Sequence, residues 1–122
     1  HRLGTREIEE CIAGHPLVAE AAVIGVKDEL KGQVPLVFVT LRQAVDGDGS
    51  AVVAEMMKRV TETLGAVARP AHIHLVNALP KTRSGKLLRR SLQALAEQRG
   101  PGDLSTLDDP GALDEIRRAL GR

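Results

Sequence analysis

The chain has 122 residues, 43% of them hydrophobic and 27% charged, with a net charge of +1. That is enough apolar chain for a domain with its own core, and too little net charge for a whole-chain field drawing it to nucleic acid or membrane. Phe38 is the only aromatic residue, so the core must be aliphatic and single-stranded nucleic acid would find no stacking platform.

The first segment begins almost at once after His1, which reads as a piece of a longer protein. Thr5 is placed to cap a helix, with Glu7 and Glu9 in its first turn, where the helix dipole favours acids. Ile8, Cys11 and Ile12 share one face, and Gly14-His15-Pro16 ends the helix, Gly14 taking a left-handed cap. Cys11 is the one cysteine. It allows no internal disulfide, fits a reducing, cytoplasmic setting, and reads as a small buried hydrophobe. No apolar run approaches the ~18 residues of a membrane span, and no signal peptide is visible.

Val18 to Val26 is a nearly unbroken apolar run, the pattern of a strand covered on both faces. Asp28 to Gln33 reads as a loop and Val34 to Leu41 as a second strand, with Pro35 near its start or on an edge. After the turn Asp46 to Ser50, residues Val53, Met56, Met57, Val60 and Leu64 repeat at helical spacing until Gly65. A third strand spans His72 to Val76. His72 and His74 alternate there and so share a face. Two histidines without a third ligand make a polar strand face, not a zinc site. Leu88, Ser91, Leu92 and Leu95 mark another helix, broken by Gly100-Pro101-Gly102. Asp109 before Pro110 caps the last helix, whose stripe is Leu113, Ile116 and Leu120. The fold class expected is α+β: a small compact domain with a three-stranded sheet flanked by helices.

Between the third strand and the next helix lies LPKTRSGKLLRR, Leu79 to Arg90. Lys81, Arg83, Lys86, Arg89 and Arg90 are five of the chain's seventeen basic residues. Such a run most often forms a solvated face. Here Ser84-Gly85 can turn and open a helix, which would put Lys86 in the first helical turn, where unpaired N–H groups favour an anion. A P-loop is excluded: Pro80 stands where its first glycine belongs and Leu87 where its magnesium-binding hydroxyl belongs. A stand-alone basic module for an anion or nucleic acid remains an alternative.

LPKTRSGKLLRR resembles the closing motif of AMP-forming acyl-CoA synthetases. HRLGTREIEE (residues 1–10), VKDELKGQVPLVFV (26–39), RPAHI (69–73) and the tail GDLSTLDDPGALDEIRRAL (102–120) are similar to further blocks of that family, in the same order. The resemblance covers nearly the whole chain. It is closest to members that activate propionate, then to those that activate acetate. It implies a C-terminal lid domain of the adenylate-forming enzyme superfamily, with a mobile domain over residues 1–100. Residues 101–122 would be a tail whose short helix packs on or beside it. ATP, its Mg²⁺ and the small carboxylic acid would be bound by an N-terminal domain of the same enzyme. Coenzyme A would enter in a second step, and the fragment alone would be inactive. A related alternative is an adenylation domain that loads a carrier protein.

The resemblance also assigns residues. Lys86 matches the lysine that faces the nucleotide during adenylation, and whose acetylation by a protein acetyltransferase, reversed by a deacetylase, would switch the enzyme. Arg2 matches an arginine near the acyl-adenylate phosphate in the thioester-forming arrangement. Acetate-activating members hold the coenzyme A phosphates with an arginine where this chain has Thr61, so that contact is not carried over. Arg59 and Lys58 lie nearby on another side of the helix. The implied partners include neither nucleic acid nor a membrane.

Overall fold

The computed structural model describes residues 4–30 and 32–121. Along them run α1 (Thr5–Ala13), β1 (Val18–Asp28), β2 (Gly32–Leu41), α2 (Ser50–Leu64), β3 (His72–Leu75), α3 (Arg89–Ala96) and α4 (Pro110–Ala119), with a 3-10 turn at Ala66–Ala68. The described strands form one sheet in the order β1-β2-β3. β1 and β2 are antiparallel, while β3 runs parallel to β2. The parallel pair needs a crossover, and α2 lies in it. The element order and the three-stranded sheet agree with the sequence reading.

β2 is the central strand, and its alternation divides the core in two. Val37 and Val39 join Ile8 and Ile12 of α1 and Val52, Met56 and Val60 of α2. Leu36 and Phe38 face the other way, into Leu92 and Leu95 of α3 and Leu113 and Ile116 of α4. The continuous run in β1 is explained by the same two covers, with Val23 in one cluster and Ala22 and Ile24 in the other. Pro35 costs the ladder nothing. Its carbonyl accepts the Ala71 N–H on the β3 side, just before β3 pairing begins at Leu36 opposite His72. Its missing donor points to that same side.

Several local expectations are corrected. Thr5 is already helical, so the α1 N-cap is Gly4, extended and without a side-chain bond. Glu7 is in the first turn, but Glu9 lies beyond it. Gly14 is right-handed, with φ −74°. A Cβ there would sit 2.6 Å from the Arg59 guanidinium, so that side-chain end would have to shift to admit one. The strands run on to pair Asp28 with Gly32, so the loop between them is shorter than Asp28 to Gln33. α3 ends before Gly100. Gln98 takes the left-handed conformation at φ 61°, and the amides of Gln98 and Arg99 bond back to the carbonyls of Leu95 and Ala94. That is the paired closure of a Schellman turn. Asp109 does cap α4, its carboxylate accepting the Gly111 N–H at 2.9 Å.

Candidate functional site

The basic stretch folds as a hairpin, and Lys86 sits on its returning arm. Lys81 bridges Leu87 in antiparallel fashion. The Thr82 N–H donates to the Lys86 carbonyl at 2.8 Å, and the Gly85 N–H to the Thr82 carbonyl at 2.9 Å. The Lys86 N–H donates to Thr82 Oγ1 at 3.0 Å, and the Thr82 and Ser84 hydroxyls bond each other at 3.0 Å. Gly85 has φ +91°, a left-handed turn that a side chain would oppose. Placing Lys86 in a first helical turn is therefore corrected: α3 starts only at Arg89. The cause is local competition, since the Thr82 hydroxyl takes the amide that a helix would leave open.

The five positive charges separate by partner. Lys81 forms an ion pair with Glu20 on β1. Arg89 makes a two-pronged pair with Glu9 of α1, at 3.1 Å on each arm, and one arm also donates to the Val23 carbonyl at 2.8 Å. Glu9 accepts the Val23 N–H at 2.8 Å, so this pair joins α1, β1 and the start of α3. The Arg83 guanidinium donates to the Ser105 carbonyl at 3.2 Å. Lys86 and Arg90 are exposed and, among the described residues, have no acidic partner. Both line an open groove with Leu88, Pro101, Gly102 and Asp103. The Asp103 carboxyl is held below its usual range by hydrogen bonds from Ser105. The solvated face expected of the run is thus corrected for three of its five charges, which hold partners within the domain.

Glu9 and Glu20 carry this arrangement; the sequence reading took Glu9 only as a helix-dipole acid and did not single out Glu20. One signal was present for Glu20, the only charged residue in the apolar run Val18 to Val26. An acid alone in a half-buried strand calls for a cation.

The other candidates resolve as follows. Arg2 lies outside the described residues. On α2, Arg59 donates from Nε to the Cys11 carbonyl at 2.8 Å, Lys58 faces Glu62 at 3.8 Å, and Thr61 bonds back to the Met57 carbonyl at 3.0 Å. Both cations of that helix are engaged within the domain. Cys11 is half-buried against the first core cluster. His72 and His74 stack at 5.5 Å, and His74 stacks on Phe38 at 5.3 Å. Burial, then the neighbouring His72, pushes the His74 pKa below its ordinary value. Among the described residues no group of three His, Cys, Asp or Glu could hold a metal ion. No helix there is long and apolar enough to cross a membrane.

Comparison with known proteins gives this arrangement a context. The chain is 53% identical to propionate–CoA ligase of Escherichia coli strain K12, over 98% of its own length and 20% of the relative's. It is 47% identical to acetyl-coenzyme A synthetase of Pyrobaculum aerophilum, over 98% of the chain and 18% of that protein. The chain therefore spans only a small part of the relatives it matches. A crystal structure of Brucella canis acyl-CoA synthetase superposes with a TM-score of 0.63 and 37% identity, over 71% of this chain and 16% of that one. Acetoacetyl-CoA synthetase of Streptomyces lividans shares the fold over 98% of this chain and 18% of its own, with a TM-score of 0.77 and 20% identity. Residues 7–86, which end on the hairpin lysine, match the model of the AMP-binding enzyme C-terminal domain, and this chain belongs to that family.

Proposed function

We propose that the chain is the mobile C-terminal domain of an ATP-dependent acid–thiol ligase acting on a short-chain acid, propionate first and acetate second. In the first step a carboxylate oxygen attacks the α-phosphorus of ATP, and pyrophosphate leaves with the electrons of the broken P–O bond. In the second, the thiol sulfur of coenzyme A attacks the acyl carbon and AMP leaves. The observation that carries the reading is the Lys86 ammonium. It is exposed and has no acidic partner among the described residues, while Lys81 and Arg89 of the same stretch are paired.

The carboxylate and the triphosphate repel each other as they meet. A point charge brought between them offsets that repulsion and stabilises the charge of the transition state, the more so when closure excludes water. Lys86 is the group that this chain would present. ATP, its Mg²⁺ and the acid would be held by the N-terminal domain of the same enzyme. Arg2 would serve the thioester step. A nucleic-acid module is not favoured, because three of the five charges that suggested it are engaged internally.

The test uses the full-length enzyme. Lys86→Ala should lower carboxylate-dependent pyrophosphate exchange by about 10²-fold or more, the scale of a lost electrostatic donor. Thioester formation from preformed acyl-adenylate should largely survive. Lys86→Gln, which carries a neutral amide as acetyl-lysine does, should behave the same way if acetylation silences the step by removing the charge. Equal losses in both half-reactions would overturn the role given to Lys86.

A further inference from the structure

The residues beyond Lys86 fasten the hairpin at both ends. Thr82 bridges Leu107 in antiparallel fashion. The Asp108 N–H donates to the Lys81 carbonyl at 2.9 Å and the Arg83 N–H to the Thr106 carbonyl at 3.2 Å, beside the guanidinium bond to Ser105. Lys81 to Arg83 is thus the middle arm of a miniature three-stranded ladder, with Lys86 on one outer arm and the tail on the other. At the hairpin's base, both Glu115 carboxylate oxygens accept the Asn77 N–H, at 2.9 and 2.8 Å, and one also accepts Asn77 Nδ2 at 3.0 Å. Asn77 lies just ahead of Leu79 and Pro80, where the hairpin starts. Leu107, Leu113 and Ile116 of the tail are buried with Leu79 and Leu92, which flank the hairpin. All of these tail residues lie outside the family match over 7–86.

We propose that residues 103–115 are a positioning strap that sets where Lys86 stands, with Glu115 as its anchor. The proposal rests on the reading of Lys86 given above. A two-stranded hairpin is marginal by itself in water, and a lysine is a compact charge on a flexible stem. Placing that charge to within the ~0.5 Å that a reacting site demands requires a fixed backbone beneath it. The tail supplies the third strand and the anchor that the hairpin lacks. Glu115 is a positioning residue: it acts through Asn77 and the hairpin, and touches no reacting atom.

In the full-length enzyme, Glu115→Ala should lower kcat for adenylation about tenfold, with KM for ATP and acid unchanged, a modest share of what small misplacements of catalytic groups cost. Thioester formation from preformed acyl-adenylate should stay within about twofold, and Glu115→Gln, which keeps one acceptor for Asn77, should recover most of the loss. Asp108→Pro, which deletes the N–H given to Lys81, should reproduce the selective loss from a second point. In a Lys86→Ala background Glu115→Ala should cost nothing more, because the two act through one ammonium. The strap is overturned if Glu115→Ala and Asp108→Pro leave adenylation within about twofold, if both half-reactions fall together, or if the losses multiply in the double variant. If Lys86→Ala itself spares adenylation, the role of Lys86 is what fails, whatever Glu115→Ala does.

Discussion

Lys86 was legible in the sequence as a residue but not as a position. The crowding of charge, the Gly85-Lys86 pair and the resemblance all pointed to it. The backbone around it was misread because the decisive bonds are of two kinds that periodicity does not report. One is the Thr82 hydroxyl taking the Lys86 amide; the other is the bridge from Thr82 to Leu107, far along the chain. The alternation of His72 and His74 was likewise readable, yet the stacking of His74 on Phe38 required the β2–β3 register, which pairs the two. That stack has a consequence for stability. The pKa of His74 is lowered in the fold, by burial and then by His72, so the unfolded chain binds more protons below the ordinary histidine value near 6.5. Its contribution is therefore fully present above that value and declines as pH falls toward the lowered one. Thermal melts between pH 7.5 and 5 should show a falling midpoint for the parent chain. His74→Leu should have a shallower slope over the same range, and an unchanged slope would remove His74 as the cause.

At the scale of elements, the type and order of every helix and strand were visible in the hydrophobic period, because each covers a face of a sheet or lays down a helical stripe. The ends were less visible. Three depend on contacts from elsewhere or on backbone choices without a side-chain signal: Gly14 is right-handed and lies against the Arg59 guanidinium from α2, the β1–β2 turn is tightened by the Asp28–Gly32 pair, and α3 stops on left-handed Gln98. The central strand shows how much one element can carry. Phe38 is fully buried, stacks on His74 and fills the cluster shared by α3 and α4. Phe38→Ala should destabilise the domain by about 3–5 kcal/mol, the usual cost of emptying a buried aromatic site. Chemical denaturation would read this as a lower midpoint at constant slope. A loss under about 1 kcal/mol would mean that the cluster collapses to fill the space.

As a whole, the chain is a sheet with a different helix pair on each face, and the pair formed by α3 and α4 stands on the side of the lysine hairpin. The α+β class was readable before any coordinates from the order of periodic segments, and the family from five blocks of sequence that fell in one order. The fastening of the tail was not, because Leu107, Glu115 and their partners form no local pattern. The domain presents one ammonium and, under the proposed function, leaves the nucleotide and the acid to another domain. Mixed alone with ATP, propionate and coenzyme A, it should therefore form no measurable thioester. Any acyl-CoA above a heat-inactivated control would show that the chain holds more of the active site than one lysine.

The bridge between Thr82 and Leu107 also bears on the order in which the protein matures. A ribosome delivers the lysine arm before the strand that holds it in place, and domains take shape roughly in the order in which they emerge. The sheet with α1 and α2 can assemble while the hairpin is still unsupported, since its core cluster draws on nothing beyond Leu75 of β3. Under the strap proposal, Lys86 takes up its working position only after Glu115 has been made and docked. A chain stalled or clipped before that point would then retain its first core and its lysine, and would still lack a site fit for adenylation.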